Sequence, residues 1–135
     1  MTKLSGSCLC GAVSYEADCD IALALNCHCT DCQNATGSVF GTNVFVSEDE
    51  VTVTGTPSEY DHVSDRGAKM TKIFCPTCGS QLMGRKSGRA GMLSLRAGCL
   101  DQKDAIKPSM NIFCDSAVPS TVMDGALKTF PKMPG

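Results

Sequence analysis

Apolar and polar positions alternate in short runs along most of this chain. In AVSYEAD (12–18), Val13 and Tyr15 fall on one face of an extended segment. VFGTNVFV (39–46) and VTVTG (51–55) are rich in β-branched residues, which fit a pleated, half-buried surface. SEYDHV, MTKIFC, QLMGRK, GMLSLRAG and SMNIFCDS follow, separated by Gly, Pro, Asp or Ser. Runs of this kind read as strands joined by turns. Met70, Met83, Met92 and Met110 lie inside them and read as core filling. The helical signal is confined to Thr30-Asp31-Cys32-Gln33, which fits a capping box with Thr30 as N-cap and Gln33 three residues on. Gly37 would stop that helix after about two turns. The pattern predicts a mainly β domain with one short helix.

At 135 residues the chain fits a single domain, residues 1–135, with a modest core. Domains of this size often need staples, and ten cysteines are available to provide them. No stretch approaches the roughly 20 apolar residues of a membrane span. The opening MTKLSGSCLCG lacks a charged region followed by an apolar one, so no signal peptide is expected. The expected location is the cytoplasm, where thiols stay reduced and clustered cysteines bind metal more often than they pair. The formal charge of −2 leaves no basic stripe to track a phosphate backbone, so neither nucleic acid nor membrane is an expected partner. GRKSGR (84–89) is a small basic cluster. It reads as a solvated hairpin tip, with an anchor for an anionic substrate as the functional alternative.

The cysteines fall into groups. Cys8 and Cys10 form C-x-C, Cys27, Cys29 and Cys32 form C-x-C-x-x-C, and Cys75 and Cys78 form C-x-x-C within FCPTCGS. Cys19, Cys99 and Cys114 stand alone and read as small buried hydrophobes. CPTCG is the most specific local signal, because two thiolates at that spacing reach one tetrahedral ion and the following Gly79 suits a sharp turn. A structural zinc needs four ligands, and Cys8 with Cys10 is the natural complement. The resulting Cys₄ site would staple the N-terminus to the middle of the chain. A redox C-x-x-C would open a helix in a βαβ context, and no such pattern is present. Iron also suits four sulfurs.

The middle cluster has two readings. In one it is a second structural site, closed by Cys114, Cys99 or His28. In the other its fourth position stays open, which is the arrangement of catalytic zinc. A helix starting near Thr30 would direct its positive end at these thiolates and ease their deprotonation. Spacing alone does not choose between the two.

The order C-x-C, C-H-C-x-x-C, F-C-x-x-C-G resembles the glutathione-dependent formaldehyde-activating enzyme family, which includes the centromere protein V type domains. GSCLCGAVSYEA is similar to the family opening, NCHCTDCQNATGSVFG to its second block, IFCPTCGSQLM to its third and LRAGCLDQKDAIKPSMNIF to a later one. The resemblance implies a two-sheet fold of the Mss4-like type. It also implies two zincs per chain, a structural one on Cys8, Cys10, Cys75 and Cys78 and a catalytic-type one on Cys27, Cys29 and Cys32. The implied activity joins a small-molecule thiol, glutathione, to a small aldehyde, formaldehyde, and is classed as carbon–sulfur lyase chemistry for the reverse direction. Two positions depart from the family pattern. Asn111 stands where a His is common, and Ser120 where a Trp is.

The expected mechanism places a substrate thiol at the open vertex as a thiolate, beside an incoming aldehyde. Asp31 and His28 are the local candidates for the general acid. His62 lies in a strand-like alternation and reads as structural. Arg66, Lys69, Lys72, Arg85 and Arg89 are candidates to meet glutathione carboxylates, or else surface charges. The rival functions are a zinc-stabilised binding module, which needs no exchangeable vertex, and a thiol or metal stress sensor without turnover.

Overall fold

The structure is a computed structural model and describes residues 2–134. Its strands form two sheets. The smaller contains β1 (Thr2–Ser7), β2 (Ser14–Cys19) and β5 (Val51–Thr54), in the order β1-β2-β5 and antiparallel throughout. The larger has eight strands in the order β11-β10-β3-β4-β9-β8-β7-β6. These are β3 (Leu23–Cys27), β4 (Gly41–Ser47), β6 (Ser58–Val63), β7 (Lys69–Phe74), β8 (Gln81–Lys86), β9 (Met92–Arg96), β10 (Met110–Ile112) and β11 (Lys128–Thr129). The helix α1 spans Thr30–Thr36, between β3 and β4. Among the described residues no helix is long and apolar enough to cross a membrane.

The expected mainly β, two-sheet architecture with one α-helix is present. Most of the runs read as strands are strands, and β6 and β8 coincide with SEYDHV and QLMGRK. Strands β1, β3 and β11 were not among the expected ones. The helix ends as expected, with Gly37 at φ 71° donating its N–H to the Gln33 carbonyl at 2.9 Å. Its start differs. Cys29, not Thr30, is the N-cap, and the Cys29 sulfur accepts from the Cys32 N–H at 3.3 Å. A hydroxyl at Thr30 is one residue too far along to accept that bond.

The two faces of the large sheet do different work. Ala24, Val44, Val46, Leu93, Leu95 and Met83 point to the small sheet, where they meet Leu4, Tyr15, Ala17 and Cys19 in the main core. Their sequence neighbours point the other way, as strand geometry requires. Leu25 and Cys27 on β3 and Ile112 on β10 form a second, smaller cluster there, with Phe45, Phe113, Phe130 and Met133 packed against it. The antiparallel register places Leu25, Asn43 and Arg96 in one row of this face. Leu23, Phe45, Ser94, Gly84 and Lys72 form the next row.

Two candidate metal centres and a cavity

The first centre joins the sheets. Cys8 and Cys10 lie in the turn between β1 and β2, and Cys75 and Cys78 in the turn between β7 and β8. Each turn is closed by a glycine in the left-handed region, Gly11 at φ 81° and Gly79 at φ 80°. Leu9 of the first turn donates its N–H to the Ser80 hydroxyl of the second at 3.0 Å. All four sulfurs lie within 4.8 Å of one another. Cys8 and Cys10 stand 3.7 Å apart, and Cys10 and Cys75 3.8 Å. Sulfurs ~2.3 Å from a tetrahedral zinc are separated by about 3.8 Å, so this donor set fits such an ion. The Ser80 hydroxyl 3.2 Å from the Cys78 sulfur is the main reason that thiol is pulled down to about 5, ready to bind as a thiolate.

The second centre is built by β3 and α1. Cys27 ends the strand, Cys29 caps the helix and Cys32 lies in its first turn. Their sulfurs also lie within 4.8 Å of one another. Cys27 donates to Cys29 at 3.3 Å. Accepting from Cys27 and then from Cys32 pulls Cys29 well below the ordinary thiol range, and the same contacts push Cys27 up. Negative charge in this trio therefore settles first on Cys29. The donor chemistry fits a thiophilic divalent ion.

Among the described residues no fourth Cys, His, Asp or Glu joins this set. The three side chains considered for closing it are engaged elsewhere. Cys114 directs its sulfur to the Asn111 carbonyl, and Cys99 to that of Gln81. His28 is fully buried, its Nε2 2.9 Å from Asn111 Oδ1 and its ring tilted against Phe40. That placement also removes His28 from the general-acid candidates, because it does not line the cavity onto which Cys27, Cys29 and Cys32 open.

The cavity has a volume of about 180 Å³. Its floor is the second face of the large sheet, and α1, the loop between β6 and β7 and the segment carrying Phe113, Ser116 and Met133 wall it in. Met70 and Met92, expected in the core, line it instead. Of the five cations considered as anchors, Arg66, Lys72, Arg85 and Arg89 line it, and Lys69 does not. The basic cluster at 84–89 is thus only partly a solvated tip. Ser87 and Gly88 are exposed, while Arg85, Lys86 and Arg89 reach the cavity. Arg85 is already held by Glu48 at 2.8 Å and Glu59 at 3.3 Å, and Arg89 lies over the Phe45 ring.

Sequence reasoning named Lys72 but missed Arg96 in the polar part of the floor. Arg96 donates to Gln81 Oε1 at 2.6 Å, to Ser94 Oγ at 2.7 Å and to Asn43 Oδ1 at 2.8 Å. Gly84 lies beneath it, where a Cβ would come within 2.7 Å of the guanidinium. Lys72 stands beside Gly84 on β7. Burial and then the Arg96 charge pull the Lys72 ammonium below its ordinary range, and the sulfurs of Cys32 and Cys29 pull it back.

A family profile described as "Glutathione-dependent formaldehyde-activating enzyme" matches residues 3–116, a span that contains both cysteine sets. The chain belongs to this family. A crystal structure of a Rhodobacter sphaeroides protein is similar over 77% of this chain and 96% of that one, with a TM-score of 0.58 and 22% identity, a likeness of fold. No curated protein matches the chain significantly. The segment 117–134, which supplies Phe130 to the second cluster and Met133 to the cavity wall, lies beyond the family match.

Proposed function

We propose that the protein adds a thiol such as glutathione to a small aldehyde such as formaldehyde, or runs the reverse carbon–sulfur lyase reaction, at a zinc held by Cys27, Cys29 and Cys32. A second zinc on Cys8, Cys10, Cys75 and Cys78 serves structure. The observation that carries this reading is a three-sulfur donor set, with no fourth protein donor among the described residues, opening on a walled cavity. A purely structural site would be closed. Family membership supports chemistry between glutathione and formaldehyde.

When bound, zinc keeps a thiol deprotonated at neutral pH and polarises a carbonyl oxygen. The rest falls to the chain. The trio fixes where the reacting sulfur sits. Leu25, Phe45, Ile112, Phe113 and Met133 exclude water from that point and hold both partners at one place, which supplies proximity. In the forward direction the sulfur's electron pair forms the C–S bond, the carbonyl π pair moves to oxygen, and the thiol proton ends on that oxygen. Asp31 is our candidate to carry that proton, supported by its position in the first turn of α1 and on the cavity wall.

The test is Cys32→Ala. The variant is expected to lose carbon–sulfur activity and one of two zincs per chain while keeping the far-UV spectrum of the wild type. Full activity in a protein with one zinc would sink the assignment.

A further inference from the structure

The two deepest cations of the cavity have no carboxylate partner. Lys72 is 8% exposed and Arg96 9%. They occupy the same face of the large sheet on either side of Gly84, whose missing side chain gives the Arg96 guanidinium its place. Arg96 is held by three neutral acceptors, Gln81, Asn43 and Ser94. The Lys72 ammonium has no hydrogen bond or ion pair among the described residues, where the carboxylates that form ion pairs serve Lys69, Arg85 and Lys132 instead. Buried charges without a counter-ion are destabilising, and these two also repel one another. Both line the same cavity as Cys27, Cys29 and Cys32, so charge placed on those sulfurs faces them directly. Asp31 acts on Lys72 after Cys32 and Cys29.

We infer that Lys72 and Arg96 form an anion-selecting floor, which makes the open position beside Cys27, Cys29 and Cys32 take an anionic sulfur, a thiolate, in preference to a neutral ligand. The inference rests on reading that trio as a three-ligand metal site. Three thiolates around a divalent ion already leave one excess negative charge, so a further thiolate is repelled by the site itself. Two fixed cations overshoot the single negative charge and match the doubled one. Lys72 and Arg96 are buried, so their charges are weakly screened and the mismatch is felt strongly. The floor therefore favours the thiolate-bound state over the resting one, and Lys72 and Arg96 are specificity-determining without taking part in proton transfer.

The experiment reads ligand binding alone. Cobalt(II) is loaded in place of zinc, and the change in its sulfur charge-transfer absorption is titrated with 2-mercaptoethanol and, separately, with imidazole as a neutral ligand. In Lys72→Met the Kd for the thiol is expected to rise about tenfold or more, the factor that ~1.4 kcal/mol of lost interaction gives. The Kd for imidazole should stay within about twofold on the same scale. Lys72→Arg should restore thiol affinity, which a role in packing would not explain. Equal loss for both ligands, or unchanged thiol affinity in Lys72→Met, would overturn the floor's role while leaving the three-ligand site intact. A wild-type spectrum that ignores both ligands would overturn the open vertex and the floor together.

Discussion

At the residue scale, Lys72 shows how a site reveals itself by a local cost. Its neighbours on the floor are Arg96 and Gly84, and burial lowers its affinity for a proton. A lysine whose folded pKa lies below the unfolded value of about 10.4 holds its charge at the expense of stability. The penalty is complete at and below the folded pKa. It fades as pH rises from there toward the unfolded one, because the folded state has by then released its proton. Lys72→Met removes the charge and keeps most of the volume. The zinc-loaded variant is expected to be more stable than wild type by about 1 kcal/mol at pH 7, the low end for replacing buried ionic groups. In a domain of this size that is roughly a 4 °C rise in Tm. The gain should shrink when the melts are repeated toward pH 10. A drop in Tm at neutral pH would mean the resting site already balances this ammonium, and the argument for a surplus of positive charge on the floor would go with it.

At the scale of elements, α1 is short and buries no residue of its own, yet with its N-cap it carries two of the three sulfurs, Cys29 and Cys32. Gln33 holds it in place, since its Nε2 donates at 2.9 Å both to the His28 carbonyl and to the Ser116 carbonyl. One side chain thus ties the helix to the loop before it and to the segment after β10. Gln33→Ala removes both bonds and should cost about 1–2 kcal/mol of stability. It should also speed the release of one zinc to a chelator, because the helix then frays with Cys29 and Cys32 on it. A release profile identical to wild type would show that the helix needs no such tie. The sequence made this element visible through Gln33 and Gly37 but misplaced its cap, because a sulfur is not an ordinary capping acceptor and Thr30 is an ordinary capping residue. Strand β3 escaped because both its faces are buried, Ala24 in the main core and Leu25 over the cavity. Without alternation its apolar run looks the same as part of a buried helix. Strand β11 has two residues and exists only through parallel pairing with β10. Arg96 was invisible as a site residue for a different reason. Met92, Ser94 and Arg96 alternate with buried Leu93 and Leu95, as they would in a strand with one wet face. It is α1, the loop between β6 and β7 and the segment after β10, folded over that face, that turn it into a cavity floor.

At the scale of the molecule, the two cysteine sets differ in what depends on them. The four-sulfur set bridges a turn of the small sheet and a turn of the large one, with Cys8 and Cys75 buried in the main core. An ion held there would replace packing that a small domain lacks, so its binding energy would be folding energy. The three-sulfur set lies on the outer face of the large sheet, against a cavity, with one vertex free of protein donors among the described residues. Loss of an ion there leaves the main core untouched. Removal of zinc by a chromophoric chelator is therefore expected in two stages. The first equivalent should leave within the range where circular dichroism is unchanged, and with it the carbon–sulfur activity. The second should leave together with the β signal. Lowering the pH should advance both stages, because thiolate ligands must take up protons as the metal departs. Cys75→Ala is the mutational form of the second stage and should unfold or aggregate, whereas Cys32→Ala reproduces the first. Activity that survives the first equivalent, or a fold that survives the second, would reverse the roles assigned to the two sets.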